Sequence, residues 1–452
     1  MTMSMSLSRI FSGLGTFACT GAVVAQPLPL SLNLTTAYAD TKAAMLAGDA
    51  DIVCIGDSLT FRPGAYFPFL SQRMRAKYGD GGEGFRAISP WTGSAFDPGW
   101  NFGFINTDNF PFRGFDGLWA GVLATQPTLC IASSFSARAR LYYLTQPGGG
   151  TFSVDRFNFP TTYIGTNATQ SGLGVATLDF SVISQSGMRI RPYPGQPTDL
   201  EEAPGEQQRP VEQGPFILYG VNWQSCTPGV RLHRAANGGW GVENFIRRDQ
   251  SFTLMLQDIN PDLFIIMLGQ NDGRLSPEQF ASRLNVLVDR LQADVPAAEF
   301  VLVSTYNSGS PPVFALGDAV HEVARQRGLG FINLRDAGGS YQSYVNRGYI
   351  DPDMLHFSDA GGRFVSNLIY DSLETGGASL SARCNDIDFN NNNVFPEDRD
   401  VIDFFDIIAG TDCPTEIGNL PGCDSIDFNR NGVFPEDQDV IDFFSVLAGS
   451  EC

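Results

Sequence analysis

The sequence DIVCIGDSLT at residues 51–60 constrains the fold more than any other stretch of the chain. Its apolar run at residues 52–55 predicts a short buried strand, and Gly56 ends that run before Asp57 and Ser58. Helix-forming sequence follows, so a serine hydroxyl is expected at the carboxyl edge of a sheet, where open α/β sheets carry their sites. A simpler interpretation makes Ser58 only the N-cap of the next helix, a common role of serine.

Strand and helix patterns alternate on both sides of a long intervening segment. Residues 262–268 form a continuous apolar run, as expected for a central parallel strand covered on both faces. Ser276, Pro277 and Gln279 then form a capping-box sequence that opens an amphipathic helix. Two further buried strands are predicted at residues 299–304 and 330–334. The pattern indicates a three-layer α/β/α domain with right-handed crossovers.

The intervening segment has a different texture. Between residues 86 and 230, short alternating apolar runs are separated by clusters of Gly, Pro, Asn and Thr. This pattern predicts an all-β module, a β-sandwich, inserted into the α/β domain. Residues 195–214 are rich in Pro, Glu and Gln and are expected to form a long exposed loop.

Composition and charge bound the function. The net charge of −20 argues against a nucleic-acid-binding protein, which would present a basic surface. An apolar stretch after Arg9, with small residues before Gln26, predicts a secretory signal, and no transmembrane segment is expected later. The protein is therefore expected to be secreted, periplasmic or on the cell surface. We divide the chain into a signal peptide (1–25), a first α/β part (26–85), the inserted β-rich module (86–230), a second α/β part (231–375), a linker (376–383) and a C-terminal module (384–452).

The three histidines differ in their surroundings. His356 follows Asp353 by three residues on a loop before the last helix of the α/β domain, so the carboxylate can hold one imidazole nitrogen while the other faces a serine. A serine nucleophile needs such a base at neutral pH. His321 is expected on the solvated face of a helix. His233 is expected to be structural or at the edge of the substrate site.

An acyl-transfer site also needs hydrogen-bond donors for the developing oxyanion. The candidates are the backbone N–H of Ser58, a glycine N–H from the turn at residues 237–241, and the side-chain amide of Asn271. Each has a simpler interpretation, because Asn-Asp pairs and glycine clusters often only form turns.

In this order, these segments resemble the SGNH hydrolases, also called the GDSL esterase/lipase family. The similarity extends through GDSLT at residues 56–60, Gly239, GQND at residues 269–272, and DMLH at residues 353–356. The resemblance implies a flavodoxin-like domain in which Ser58 is the nucleophile, His356 the base and Asp353 its orienter. The implied oxyanion hole is formed by Ser58, Gly239 and Asn271. Gly238 remains an alternative to Gly239, because the family's Gly-x-x-Gly pattern is not matched here.

The inserted module looks similar to the insert of bacterial peptidoglycan and polysaccharide O-acetylesterases of this clan. This similarity implies a serine esterase that removes a small acyl group, an acetyl group above all, from a carbohydrate through an acyl-enzyme, without a metal in catalysis. Two alternatives stay open. One is a lipase or lysophospholipase of the same clan, and the other is a carbohydrate-binding surface protein with a vestigial hydrolase domain.

The C-terminal module contains a tandem repeat. Residues 384–413 and 423–452 are identical at 20 of 30 aligned positions, and residues 384–452 hold 16 acidic residues against two arginines. Oxygen-bearing side chains at alternate positions before a helix resemble the half EF-hands of dockerin modules, which implies structural Ca²⁺ and a surface or scaffold protein as partner. The alternative is an acidic, disulfide-stapled module without metal.

The expected calcium ligands differ from the ordinary pattern in their closing acid. The implied ligands are Asp388, Asn390, Asn392, the Val394 carbonyl and Asp400 in the first repeat, and Asp427, Asn429, Asn431, the Val433 carbonyl and Asp439 in the second. Asp400 and Asp439 come one residue later than the usual twelfth position, so Asp403 and Asp442 are alternatives. The matching cysteines suggest disulfides Cys384–Cys413 and Cys423–Cys452, with Cys413–Cys423 as an alternative.

Overall fold

A computed structural model describes residues 28–92, 94–96, 98, 100–104, 114–122, 130–134, 136–180, 186–192 and 214–376, and parts of the C-terminal module (387, 389–390, 396–411, 416–417, 420–421, 423, 426, 428 and 437–448). The strands are β1 (Ser31–Leu32), β2 (Asp49–Gly56), β3 (Gly84–Ala87), β4 (Ala95–Phe96), β5 (Asn101–Phe104), β6 (Leu118–Val122), β7 (Cys130–Ser134), β8 (Arg138–Thr145), β9 (Thr151–Arg156), β10 (Thr162–Gly165), β11 (Gly172–Asp179), β12 (Ser186–Pro192), β13 (Phe216–Gln224), β14 (Gly229–Ala236), β15 (Leu263–Met267), β16 (Glu299–Val303), β17 (Gly330–Ile332), β18 (Glu416–Ile417) and β19 (Leu420–Pro421). The helices are α1 (Ala39–Ala47), α2 (Ser58–Phe61), α3 (Tyr66–Tyr78), α4 (Val242–Ile246), α5 (Gln250–Ile259), α6 (Pro277–Asp294), α7 (Pro311–Arg327), α8 (Leu334–Ala337), α9 (Tyr341–Asn346), α10 (Asp359–Thr375), α11 (Asp398–Ile408) and α12 (Asp437–Leu447), with a 3₁₀ turn at Pro90–Thr92.

The central sheet has the order β14-β2-β15-β16-β17, with all of these strands parallel. In chain order this is 2-1-3-4-5, the flavodoxin-like arrangement, and β1 adds an antiparallel edge to β17. Every residue of β15 is buried, as a strand covered by helices on both faces must be. The α/β prediction is thus confirmed, and the topological switch point lies where β2 ends.

The strands predicted at 262–268, 299–304 and 330–334 are each shorter in the structure, and the structure contains one strand that the sequence does not predict. The strand predicted at residues 330–334 ends at Ile332, because the Asn333 side chain accepts a hydrogen bond from the Asp336 N–H and begins α8 at Leu334. The two-residue strand β1 precedes the first predicted helix. It is too short to show any periodicity in the sequence.

Two antiparallel sheets lie in the β-rich segment. One has the order β10-β9-β12-β7-β4, and the other has the order β11-β8-β13-β6-β5 with β3 also paired to β13. A shared apolar core between them includes Phe152, Met188 and Phe216. The opposite face of the second sheet packs on the α/β domain, where the Tyr142 hydroxyl donates to Asp258 of α5 at 2.7 Å. The predicted loop at 195–214 lies outside the described residues except for Gly214.

The described part of the C-terminal module is built around four phenylalanines. Phe389, Phe404, Phe428 and Phe443 are fully buried. Phe404 of α11 stacks on Phe443 of α12 with ring centroids 4.1 Å apart. These two residues occupy equivalent positions of the repeats, so each repeat contributes the same apolar face to a common core.

The cysteines of the described residues differ in bonding and in burial. Cys54 is a buried free thiol, as expected for a core position on β2, and Cys226 is an exposed free thiol. Cys423 is disulfide-bonded, and its expected partner Cys452 lies outside the described residues, as do Cys384, Cys413 and the predicted signal sequence at 1–25. Among the helices of the described residues, none combines the length and the apolar character that crossing a bilayer requires.

Candidate active site

Ser58 lies at the carboxyl end of β2, as its sequence motif predicts. It is the first residue of α2 and is buried, with an exposed fraction of 9%. The cap of this helix is Asp57, whose carboxylate accepts a hydrogen bond from the Leu59 N–H at 2.8 Å. The interpretation of Ser58 as the helix cap is therefore wrong, because its neighbour performs that role and leaves the serine hydroxyl for other contacts.

Asp353 and His356 form a tight pair on the loop before α10. The Asp353 carboxylate lies 2.7 Å from His356 Nδ1 and also accepts the backbone N–H groups of Leu355 and His356, at 3.0 and 2.9 Å. A fourth donor is Arg62, whose Nη1 lies 2.5 Å from the carboxylate. Partial burial opposes ionisation, but the His356 backbone and imidazole and the Arg62 guanidinium hold the pKa of Asp353 well below its usual range. The carboxylate stays ionised and can orient the imidazole.

Two tyrosine hydroxyls donate hydrogen bonds to the backbone of the loop that carries this pair. Met354 has a φ of +61°, a left-handed conformation that is unusual for a side chain of this kind. The Tyr341 hydroxyl donates to the Met354 carbonyl at 2.9 Å, and the Tyr306 hydroxyl donates to the Leu355 carbonyl at 2.6 Å. Tyr306 itself is fully buried. These bonds fix the backbone of the two residues that separate Asp353 from His356.

The segment that carries Ser58 and the loop that carries His356 are in direct contact. The ion pair between Arg62 and Asp353 joins the residue that follows α2 to this loop. A Cβ placed on Gly64 would lie only 2.7 Å from the carbonyl oxygen of Phe357, so the two backbones approach closely there. The contacts are made by residues that shortly follow Ser58 and by residues adjacent to His356. The structure thus places the three predicted triad residues at one end of the sheet.

The predicted oxyanion residues occupy two neighbouring loops. Gly239 has a φ of +75°, which favours glycine, and is exposed after β14. Asn271 follows β15, and its side-chain amide donates to the Trp240 carbonyl at 2.9 Å. A carboxamide nitrogen has two N–H groups, so this bond positions the amide and leaves a second N–H. The choice between Gly238 and Gly239 as donor stays a prediction.

The sequence analysis missed the burial of two carboxylates, Asp57 beside Ser58 and Asp272 beside Asn271. Burial raises the pKa of Asp57 to about 7, although the Leu59 N–H lowers it, and the charge of Asp272 raises it further. Burial likewise raises the pKa of Asp272 to about 6, although this carboxylate accepts the Val242 N–H at 3.0 Å. Perturbed carboxyl groups of this kind are frequent at functional sites.

The other two histidines have structural surroundings. His233 is fully buried within β14, with Nε2 2.7 Å from the Asp51 carboxylate and Nδ1 accepting the Phe85 N–H at 3.0 Å. It pairs with Val53 in the middle of the sheet, away from the edge at which Ser58 lies. His321 of α7 packs edge-on against Phe331, with ring centroids 5.1 Å apart.

Most of the predicted calcium ligands lie outside the described residues. These are Asp388, Asn392, Val394, Asp427, Asn429, Asn431 and Val433. Of the remaining three, Asn390, Asp400 and Asp439 are all fully buried. Asp400 accepts the Glu397 N–H at 3.2 Å, and the alternative closing acid Asp403 pairs with Arg399 at 2.8 Å. Within the described positions, no group of three or more His, Cys, Asp or Glu side chains is arranged to hold a metal ion.

Part of the sequence matches a known protein family, and the fold is similar to that of solved structures. Residues 218–364 match the GDSL-like Lipase/Acylhydrolase family. A solved structure described as a peptidoglycan O-acetylesterase is similar, with a TM-score of 0.60 and 18% sequence identity over 77% of this chain and 99% of the other. A family two carbohydrate esterase from Cellvibrio japonicus is 12% identical over 65% of this chain and 97% of the other, with a TM-score of 0.27. No curated protein matches the sequence. Residues 218–364 thus match a GDSL-like acylhydrolase domain, and the protein is a carboxylic ester hydrolase.

Proposed function

We propose that the protein is a secreted serine esterase that removes O-acetyl groups from a polysaccharide through an acyl-enzyme. In this proposal Ser58 is the nucleophile, His356 the general base and Asp353 the orienter of the imidazole. The backbone N–H groups of Ser58 and Gly239 and the Asn271 amide receive the oxyanion. Catalysis requires no metal.

One observation carries the proposal: a single carboxylate joins the two halves of the catalytic apparatus. Asp353 contacts His356 Nδ1 at 2.7 Å and Arg62 at 2.5 Å, and Arg62 directly follows α2, the helix that begins with Ser58. Because Nδ1 faces a carboxylate, this nitrogen carries the proton, and Nε2 is the basic nitrogen. The base is therefore oriented by a group that is itself anchored beside the nucleophile.

The chemistry follows from these roles. His356 takes the Ser58 proton as the hydroxyl attacks the ester carbonyl, and the three oxyanion donors stabilise the tetrahedral intermediate. The protonated imidazole then gives its proton to the departing sugar hydroxyl, which leaves an acyl-serine. A water molecule, deprotonated by His356, hydrolyses this ester and restores Ser58.

The similarity to a peptidoglycan O-acetylesterase over most of both chains supports an acetylated carbohydrate as substrate. A second candidate, hydrolysis of esters with longer acyl chains, is favoured by another observation. Met354 and Leu355, which separate Asp353 from His356, expose 54% and 36% of their surface. Apolar side chains beside the base would suit an apolar acyl group.

For the C-terminal module we propose structural Ca²⁺ and attachment to a surface or scaffold protein. Support comes from Asp400 and Asp439, equivalent carboxylates of the two repeats that are both fully buried. Burial of a carboxylate is costly unless cations or hydrogen bonds compensate it, and at Asp400 the backbone N–H groups of Asn390 and Glu397 supply hydrogen bonds but no positive charge. Bound Ca²⁺ would supply that charge and link each helix to the loop before it.

The test compares turnover of p-nitrophenyl acetate and p-nitrophenyl palmitate by the chain from Gln26, together with release of acetate from acetylated glycans. Ser58→Ala is expected to abolish turnover, whereas Ser276→Ala, at the exposed cap of α6, is a matched control that retains it. Faster palmitate turnover would favour the second candidate. Equal turnover by wild type and Ser58→Ala would refute the serine mechanism.

A further inference from the structure

A short piece of the β-rich segment enters the core of the α/β domain. Residues 114–118, with the sequence GFDGL, form this insert loop. Phe115 is fully buried, with its ring centroid 4.8 Å from that of Phe85 and 5.4 Å from that of Phe252 on α5. The Gly114 N–H donates to the buried Ser251 hydroxyl at 3.0 Å. The insert loop is therefore anchored on a helix of the α/β domain rather than on its own module alone.

The insert loop is in close contact with Trp240, the residue that follows Gly239. Gly117 has a φ of +72°, and a Cβ built there would lie 2.2 Å from Cζ2 and 2.5 Å from Cη2 of Trp240. The first distance is about 1.2 Å short of the 3.4 Å at which ordinary contact begins. Trp240 is buried, and its carbonyl accepts the Asn271 amide. A shift of the Trp240 indole would therefore move both of the neighbouring loops that carry Gly239 and Asn271.

A second set of contacts ties the same loop to the nucleophile helix. The Asp116 carbonyl accepts the Asn237 amide at 2.7 Å, where Asn237 opens the turn that contains Gly239. Burial lowers the pKa of Arg234 of β14 to about 10, and the nearby buried carboxylate of Asp116 opposes this shift. Arg234 in turn donates to the carbonyl of Phe61, the last residue of α2, at 2.9 Å. The insert loop thus supports the oxyanion turn directly and the nucleophile helix through one arginine.

We propose that the insert loop is a positioning element for the chemical step, with Gly117 and Trp240 setting the place of Gly239 and Asn271. The inference rests on the proposed oxyanion roles of those two residues. It assigns to the β-rich segment a part in turnover of any ester, including small esters that make no contact with a glycan site. A segment that only captured polysaccharide would have no such effect.

Gly117→Ala tests the inference, and Gly148→Ala is its matched control. Gly148 has a φ of +70° in the same β-rich segment, but a Cβ there meets nothing within 4 Å. Both variants carry the same backbone penalty, so the difference between them reports the contact with Trp240. For p-nitrophenyl acetate we expect Gly117→Ala to lower kcat about 100-fold with KM within about 2-fold of wild type, as misplacement by about 1 Å does. Gly148→Ala is expected to keep the wild-type kcat.

A compensating change makes the test specific. Trp240→Phe removes Cζ2 and Cη2, so in the Gly117→Ala background it is expected to restore kcat at least tenfold. Thermal unfolding shows whether each variant is folded. Should Gly117→Ala not fold, Asn237→Ala removes the bond to the Asp116 carbonyl without adding atoms, and the same loss of kcat is expected.

Equal kcat values for Gly117→Ala and Gly148→Ala would overturn the inference, as would a folded Asn237→Ala variant with wild-type kcat. The proposed function fails in a different way. If acetylated glycans are not hydrolysed while the Gly117→Ala loss on p-nitrophenyl acetate and its rescue persist, the substrate is wrong and the positioning role stands.

Discussion

Replacing Asp57 by Asn is expected to stabilise the protein, by an amount that grows with pH. The Asp57 carboxyl is buried, and an asparagine oxygen can still accept the Leu59 N–H that begins α2. The substitution therefore keeps the helix cap and removes a charge. Burial raises the pKa of Asp57 from 3.8 to about 7, so folding disfavours its ionised form.

The sign and the size follow from linkage. Between pH 3.8 and about pH 7 the folded state binds more protons at this group than the unfolded state, so wild-type stability falls as the pH rises. The resulting cost of the ionisable group is about 2 kcal/mol at pH 5 and about 4 kcal/mol at pH 8. Asp57→Asn is free of this cost, so its advantage over wild type should grow by roughly 2 kcal/mol between the two pH values.

Thermal unfolding of both proteins at pH 5, 6, 7 and 8 measures this difference. At roughly 2 to 4 °C per kcal/mol, the Tm gap should widen by about 4 to 8 °C from pH 5 to pH 8. Asp336→Asn is the control: burial opposes ionisation of Asp336, but the Arg335 guanidinium and the Asn333 amide hold the pKa of this carboxyl below its usual value, so it stays charged throughout and has no titrating partner in this range. Its effect on Tm should not change across this range. A Tm gap for Asp57→Asn that is the same at pH 5 and pH 8 would refute the reasoning.

Two further predictions concern the histidine loop and the C-terminal module. Tyr306→Phe removes the hydrogen bond to the Leu355 carbonyl and should lower kcat about tenfold with little change in KM. Tyr344→Phe is the control, because the Tyr344 hydroxyl donates to the Leu334 carbonyl outside this loop, and it should keep the wild-type kcat. Equal kcat values for the two variants would contradict the positioning role of Tyr306. Calorimetric titration of the chelator-treated full chain with CaCl₂ is expected to show two binding events, and Asp400→Asn or Asp439→Asn should each remove one; absence of heat from the wild type would contradict the calcium proposal.

The α/β domain could be predicted because its signals are local. The apolar runs of β2 and β15 and the capping box of α6 each lie within a few consecutive residues, and the structure places all three as expected. The strand β1 could not be predicted in this way. Two residues carry no period, and its pairing with β17, about 300 residues away, depends on the finished sheet.

The same distinction applies to the site. Asp353 and His356 are three residues apart, so their pairing follows from the sequence. Arg62 binds the same carboxylate across 291 residues, and Tyr306 supports the loop across 49. An isolated arginine or tyrosine carries no sign of such a role, since its partner is chosen by the fold. The raised pKa of Asp57 is hidden for the same reason, because it depends on burial.

The long β-rich segment is compatible with a precise site because both of its ends are fixed by strand pairing. The strands β2 and β14 pair in parallel from Gly229 opposite Asp49 to Ala236 opposite Gly56, so the turn that carries Ser58 and the turn that carries Gly239 leave the sheet at the same level. Just outside this pairing, β3 and β13 are also joined, with Phe85 opposite Asn222. The intervening residues thus begin and end on adjacent strands, and their length does not alter the separation of the two turns. Residues 114–118, a loop of this segment, can therefore contact the site without changing the separation of the two turns.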